Sequence, residues 1–116
     1  ELSAFYDITH GEGLAILTPH WMDHVLSEKT AAKFAQYGRA VWDLDGDQND
    51  MDIAREAVAC TRAFFRRLGL PSKLRDVGIA DGPNFEAMAA KAAPRCGTAY
   101  VPLSKDDIVS IFRAAF

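Results

Sequence analysis

The sequence is short of the residues that organise most small metal-binding or redox domains. It holds two cysteines, Cys60 and Cys96, and three histidines in 116 residues. No CxxC pair occurs, which excludes a thiol redox motif or a zinc ribbon. One disulfide is the most the chain can form. In a core of this ordinary composition the two thiols are expected to stay reduced and buried. No apolar run exceeds about half the ~20 residues a membrane-spanning helix needs, so a membrane segment is excluded. Neither sign of charge dominates: 13 basic and 16 acidic residues leave a net charge of −3. Without a global basic field, nucleic acid is not an expected partner. There is no GxSxG elbow, internal repeat or low-complexity tract. The "GEG" at Gly11 to Gly13 lacks the third glycine and the preceding strand of a dinucleotide-binding fingerprint.

What is present is the balance of one globular domain, with 49% apolar and 25% charged residues. The chain opens at Glu1 without a methionine, so a piece of something longer or a processed product is expected, with any targeting signal upstream. Helix follows helix. Thr9 and Glu12 have the spacing of a capping box, which starts a helix with His10 in its first turn. His10, Leu14, Leu17, Trp21 and Val25 then recur at helical spacing as the expected buried stripe, with a kink expected at Pro19. Ser27 is the expected cap of a second helix, with Ala31, Phe34, Ala35, Gly38, Val41 and Trp42 inward.

"DLDGDQNDMD" reads as a polar loop. The third helix presents Ala54, Ala57, Val58, Thr61, Phe64, Phe65 and Leu68 on one face. Asp50 and Asp52 in its first turn and Arg66 and Arg67 in its last suit the helix dipole. Gly69 and Pro71 end it. A smaller helix near "NFEAMAAKAA" is expected to stop at Pro94, and "GTAYVPL" is extended with no strand to pair with. Ser104 caps a last helix whose inward face is Ile108, Ile111, Phe112 and Ala115. The expected fold is an all-α helical bundle.

Three clusters carry possible chemistry, and each reads better as structure. Counted from Asp45, the residues Asp45, Asp47, Asn49 and Glu56 fall on EF-hand positions, but the obligatory glycine is replaced by Asp50. His20 and His24 share a helix face, yet Trp21 stands where a metalloprotease motif has glutamate, and two histidines leave a zinc site half empty. In "RAFFRRLGLPSKLR" the phenylalanines fall on the buried face, leaving Arg62 and Arg66 as solvated charge. His10 is the remaining candidate. Gly11 and Gly13 beside it each cost up to about 1 kcal/mol in a helix relative to alanine. Glycines kept at that cost suggest that something approaches the backbone closely, and they leave the imidazole unshielded.

"ELSAFYDITHGEGLAILTPHWM" resembles the metal-binding helix region of the iron-containing (group III) alcohol dehydrogenases, in particular their butanol dehydrogenase-like branch. "FFRRLGLPSKLRDVGI" and "YVPLSKDDIVSIFRAAF" resemble that family's C-terminal helices. The resemblance implies a two-domain enzyme with an α/β domain for NAD or NADP, an all-helical C-terminal domain and the active site between them. Its divalent metal, iron or sometimes zinc, is held by one aspartate and three histidines. His10 matches the last of those histidines. The other ligands would precede Glu1, as would a histidine near the nicotinamide.

Residues 1–116 would then be the C-terminal all-helical metal-binding domain, partial and inactive alone, with no catalytic residue of its own and its cofactor-binding residues unassigned. Also implied are a small alcohol or aldehyde substrate, a cytoplasmic location, a homo-oligomer (a dimer) when full-length, and no nucleic-acid or membrane partner. The alternative is a free-standing helical interaction module in which His10 is structural.

Overall fold

Local sequence signals place most of the helices in the computed structural model, which describes residues 1–44, 46–80, 82 and 84–116. Among these the chain forms α1 (Leu2–Tyr6), α2 (His10–Val25), α3 (Ala31–Trp42), α4 (Asp50–Arg67), α5 (Phe85–Cys96) and α6 (Lys105–Ala115). A 3-10 turn at Leu74–Val77 lies between α4 and α5, and the described residues contain no strand. The expected all-α bundle is what forms.

The helix ends show where side chains decide. At α6 the Ser104 hydroxyl accepts from the Asp107 N–H at 3.2 Å, and the Asp107 carboxylate accepts from the Ser104 N–H at 2.8 Å. This reciprocal pair satisfies donors that a helix start leaves bare. At α4 the cap is Asn49, whose side chain accepts from the Asp52 N–H at 3.0 Å. The box expected at Thr9 and Glu12 does not form: Thr9 is the residue before α2, but its side chain caps nothing.

Nor does Ser27 cap α3. Thr30 precedes that helix, and its buried hydroxyl donates to the Val25 carbonyl at 2.9 Å while accepting from the Ser27 N–H at 2.8 Å. The threonine thereby fastens the end of α2 to the start of α3. Pro94 does not end α5; it lies inside the helix, which runs on to Cys96. Pro19 likewise sits within an unbroken α2.

Two apolar clusters hold the helices together. One gathers Ile16 of α2 with Leu74, Ile79, Phe85, Met88, Val109 and Phe112; the other gathers Met22 and Val25 of α2 with Phe34, Ala54 and Val58. α2 therefore serves both. Burial of this kind contributes roughly 1.5–3 kcal/mol per large side chain. Between α3 and α4 the backbones approach closely at Gly38, where a Cβ would lie 3.0 Å from Ile53 Cγ2 and 3.1 Å from Ala57 Cβ.

The face of α2 differs from the expected one. Gly13, Ala15, Ile16, Pro19, Met22 and Val25 are buried. Leu14, by contrast, is 53% exposed and His10 is exposed as well. Val41, Phe64 and Leu68 are also exposed rather than inward.

Candidate functional site

His10 is the first residue of α2, and its ring is exposed. It stands at the edge of an open cavity of about 350 Å³ formed by α1, α2, the end of α5 and α6. The walls are mostly apolar: Leu14, Leu17 and Trp21 of α2 meet Leu103, Ile111 and Phe112, with Cys96 among them. Of the stripe expected to be buried, His10, Leu14, Leu17 and Trp21 line this cavity, with Leu17 and Trp21 also packed against the apolar clusters, while Val25 lies in the core. His10 is not packed in the core of the described residues.

α1 supplies the opposite wall through Glu1, Leu2 and Ser3. Glu1 Oε1 lies 3.6 Å from Nη2 of Arg95 near the end of α5. The two glycines differ from expectation. A Cβ on Gly13 would meet Leu2 Cδ1 at 3.5 Å, an ordinary contact, and a Cβ on Gly11 would meet no described atom within 4 Å. Nothing described in this chain requires either position to lack a side chain.

The other candidate clusters do not converge on a site. His24 Nε2 lies 3.0 Å from Asp107 Oδ1. His20 turns instead toward Ser72 and Arg62. Burial, then the nearby Lys73 and Arg62 cations, push the His20 imidazole below its ordinary pKa; Asp23 and a backbone hydrogen bond at Ser72 oppose this. The acidic loop is engaged by partners: Asp50 pairs with Arg39 at 3.0 Å, and Asp52 accepts from Asn49 Nδ2 at 2.6 Å. Asp45, the first EF-hand position, lies outside the described residues. Arg62 is not merely solvated, since its Nη2 donates to Asp23 Oδ2 at 2.6 Å and joins α4 to α2. Both cysteines are free thiols and half-buried rather than buried.

Among the described residues no group of three or more His, Cys, Asp or Glu could hold a metal by itself. His10 fits a metal as one donor of a shared set: an accessible imidazole, suited to iron or zinc, fixed at the start of a long helix. Two features were missed in the sequence. One is the contribution to the cavity of Leu103, hidden because "GTAYVPL" carries no periodic signal, and of Cys96 at the end of α5. The other is Asp7, which ends α1 in the left-handed conformation at φ 53° and ψ 31°.

Comparison with known proteins agrees with this architecture. The family model described as "Fe-containing alcohol dehydrogenase family, C-terminal" matches residues 1–116. NADH-dependent butanol dehydrogenase A of Clostridium acetobutylicum is 46% identical over 119 residues, covering 100% of this chain and 30% of that protein. Its NADH-dependent butanol dehydrogenase B is 45% identical, covering 97% of this chain and 30% of that protein. A crystal structure of 1,3-propanediol oxidoreductase superposes with a TM-score of 0.84 at 28% identity, covering 99% of this chain and 30% of that one. The chain thus spans about 30% of the length of the curated relatives it matches.

Proposed function

The chain belongs to the Fe-containing alcohol dehydrogenase family, and from that premise we propose that it is the C-terminal all-helical domain of a longer NAD(P)-dependent enzyme interconverting alcohols and aldehydes, in which His10 is one ligand of the catalytic metal. The observation that carries the proposal is the exposed imidazole of His10, held in the first turn of α2 at the edge of an apolar cavity. An imidazole placed there is accessible to a ligand partner through a ring nitrogen. The metal, iron or alternatively zinc, would supply Lewis acidity that polarises a carbonyl oxygen.

The chain's own residues do the rest. α2 fixes the ring's position along a rigid axis. Leu14, Leu17 and Trp21 offer the hydrocarbon part of a small alcohol or aldehyde a surface without competing hydrogen-bond groups. They also keep water from the path a hydride would take to or from a nicotinamide held by another part of the protein. Relatives named as NADH-dependent butanol dehydrogenases and as an NADPH-dependent aldehyde reductase support the substrate class, and support either NAD or NADP as cofactor. A cytoplasmic homodimer belongs to the same reading. Among the described residues no helix is long and apolar enough to cross a membrane.

His10→Ala in the whole protein tests the proposal. Metal content should fall by at least about tenfold with the helical circular dichroism unchanged. A variant that keeps its full complement of metal would sink the ligand role.

A further inference from the structure

We propose that Asp7 is a positioning residue for His10, acting through its left-handed backbone rather than through its carboxylate; the inference rests on the metal-ligand reading of His10 above. Only Asp7, Ile8 and Thr9 separate α1 from α2, yet α1 packs back on the first turns of α2. Leu2 Cδ1 and Ile8 Cδ1 come within 3.5 Å and 3.7 Å of where a Cβ on Gly13 would stand. In this reversal one residue takes the left-handed region. Asp7 does so at φ 53°, with its N–H donating to the Ser3 carbonyl at 3.0 Å. Thr9 is extended again at φ −61° and ψ 134°, and His10 begins α2.

The consequence is that Glu1, Leu2 and Ser3 from one side of the turn and His10, Gly13 and Leu14 from the other line a single cavity. A ligand carried by chain leading into α1 would be placed relative to His10 through this turn and the Leu2 and Ile8 packing beside it. Gly, Asn and Asp tolerate the left-handed region, and β-branched residues tolerate it worst. A metal site accepts only about 0.5 Å of misplacement. Among the described residues Asp43 is the other non-glycine with positive φ, and it ends α3.

The test uses the whole protein, stripped of metal and titrated with Co²⁺ alone. Affinity and the visible absorption band of the bound ion are read, with circular dichroism and thermal midpoint alongside. Asp7→Gly and Asp7→Asn should keep the parent band and an affinity within about twofold. Asp7→Val should shift the band and weaken Co²⁺ by about tenfold or more while remaining helical. If Asp7→Val fails to fold, Asp7→Ala takes its place, with a loss of about threefold or more expected from the same cause. A Val or Ala variant that melts lower but binds Co²⁺ with the parent band and affinity would reduce Asp7 to a helix cap and overturn the inference. A His10→Ala protein that keeps the parent band removes the reading beneath it instead, so the two failures are distinguishable.

Discussion

His24 of α2 and Asp107 of α6 meet side chain to side chain, Nε2 to Oδ1 at 3.0 Å, and so the last turn of one helix is tied to the first turn of the other. Asp107 does double duty there. The Ser104 hydroxyl, then the Ser104 N–H, then His24 hold its carboxyl below the ordinary value of 3.8.

Acid should therefore loosen this corner. The folded state holds the Asp107 proton less readily than the unfolded chain does, so its contribution is complete above about pH 4 and is lost as pH falls through the lowered folded value. Thermal midpoints measured from pH 6 down to pH 2 should fall, and Asp107→Asn should flatten part of that decline. Asp76 and Glu86, also held low, account for more of it. At neutral pH, Ser104→Ala should cost about 1 kcal/mol.

The link between Tyr37 and Thr61 has a direction that can be deduced. Thr61 has one hydroxyl proton, which it donates to the Ala57 carbonyl at 2.8 Å, so Tyr37 must donate across its own 2.8 Å contact with Thr61. Thr61→Val leaves that donor without its acceptor, at a cost of about 1–3 kcal/mol, whereas Tyr37→Phe should cost about 1 kcal/mol. Urea unfolding of both variants checks the order; a larger loss in Tyr37→Phe would reverse the assignment.

Gly38 and Gly11 should respond oppositely to a side chain. A Cβ on Gly38 would stand 3.0 Å from Ile53, 3.1 Å from Ala57 and 3.2 Å from Leu44. Ile53 and Ala57 are both 0% exposed and have nowhere to go. Gly38→Val should lose about 1–3 kcal/mol by overpacking. Gly11→Ala, in open space inside a helix, should be neutral or gain up to about 1 kcal/mol. Denaturant midpoints with an unchanged slope would verify both.

The sequence was most legible where a side chain acts on its own neighbours. Ser104 with Asp107, the acidic start of α4 and the stop at Gly69 are all local events, and all are present. It was least legible where apolar character has two possible causes. Leu14, Leu17 and Trp21 are larger than Gly13, Ala15 and Pro19, so the periodic reading picks out the cavity wall together with Val25 and passes over the small residues of the contact face. His10 stood out from its neighbours in the sequence, the family resemblance gave it a ligand role, and its exposure emerged only from the packing. Pro94 misled for a different reason. A proline removes one donor, and within α5 the remaining turns on either side hold without it.

α2 carries Ile16 into one cluster and Met22 and Val25 into the other. Like a shared ridge beam, it leaves neither half of the molecule a separate fate. Sequence drift that loosens one side must be answered on the other, and the helix that presents His10 is the last element either half can give up.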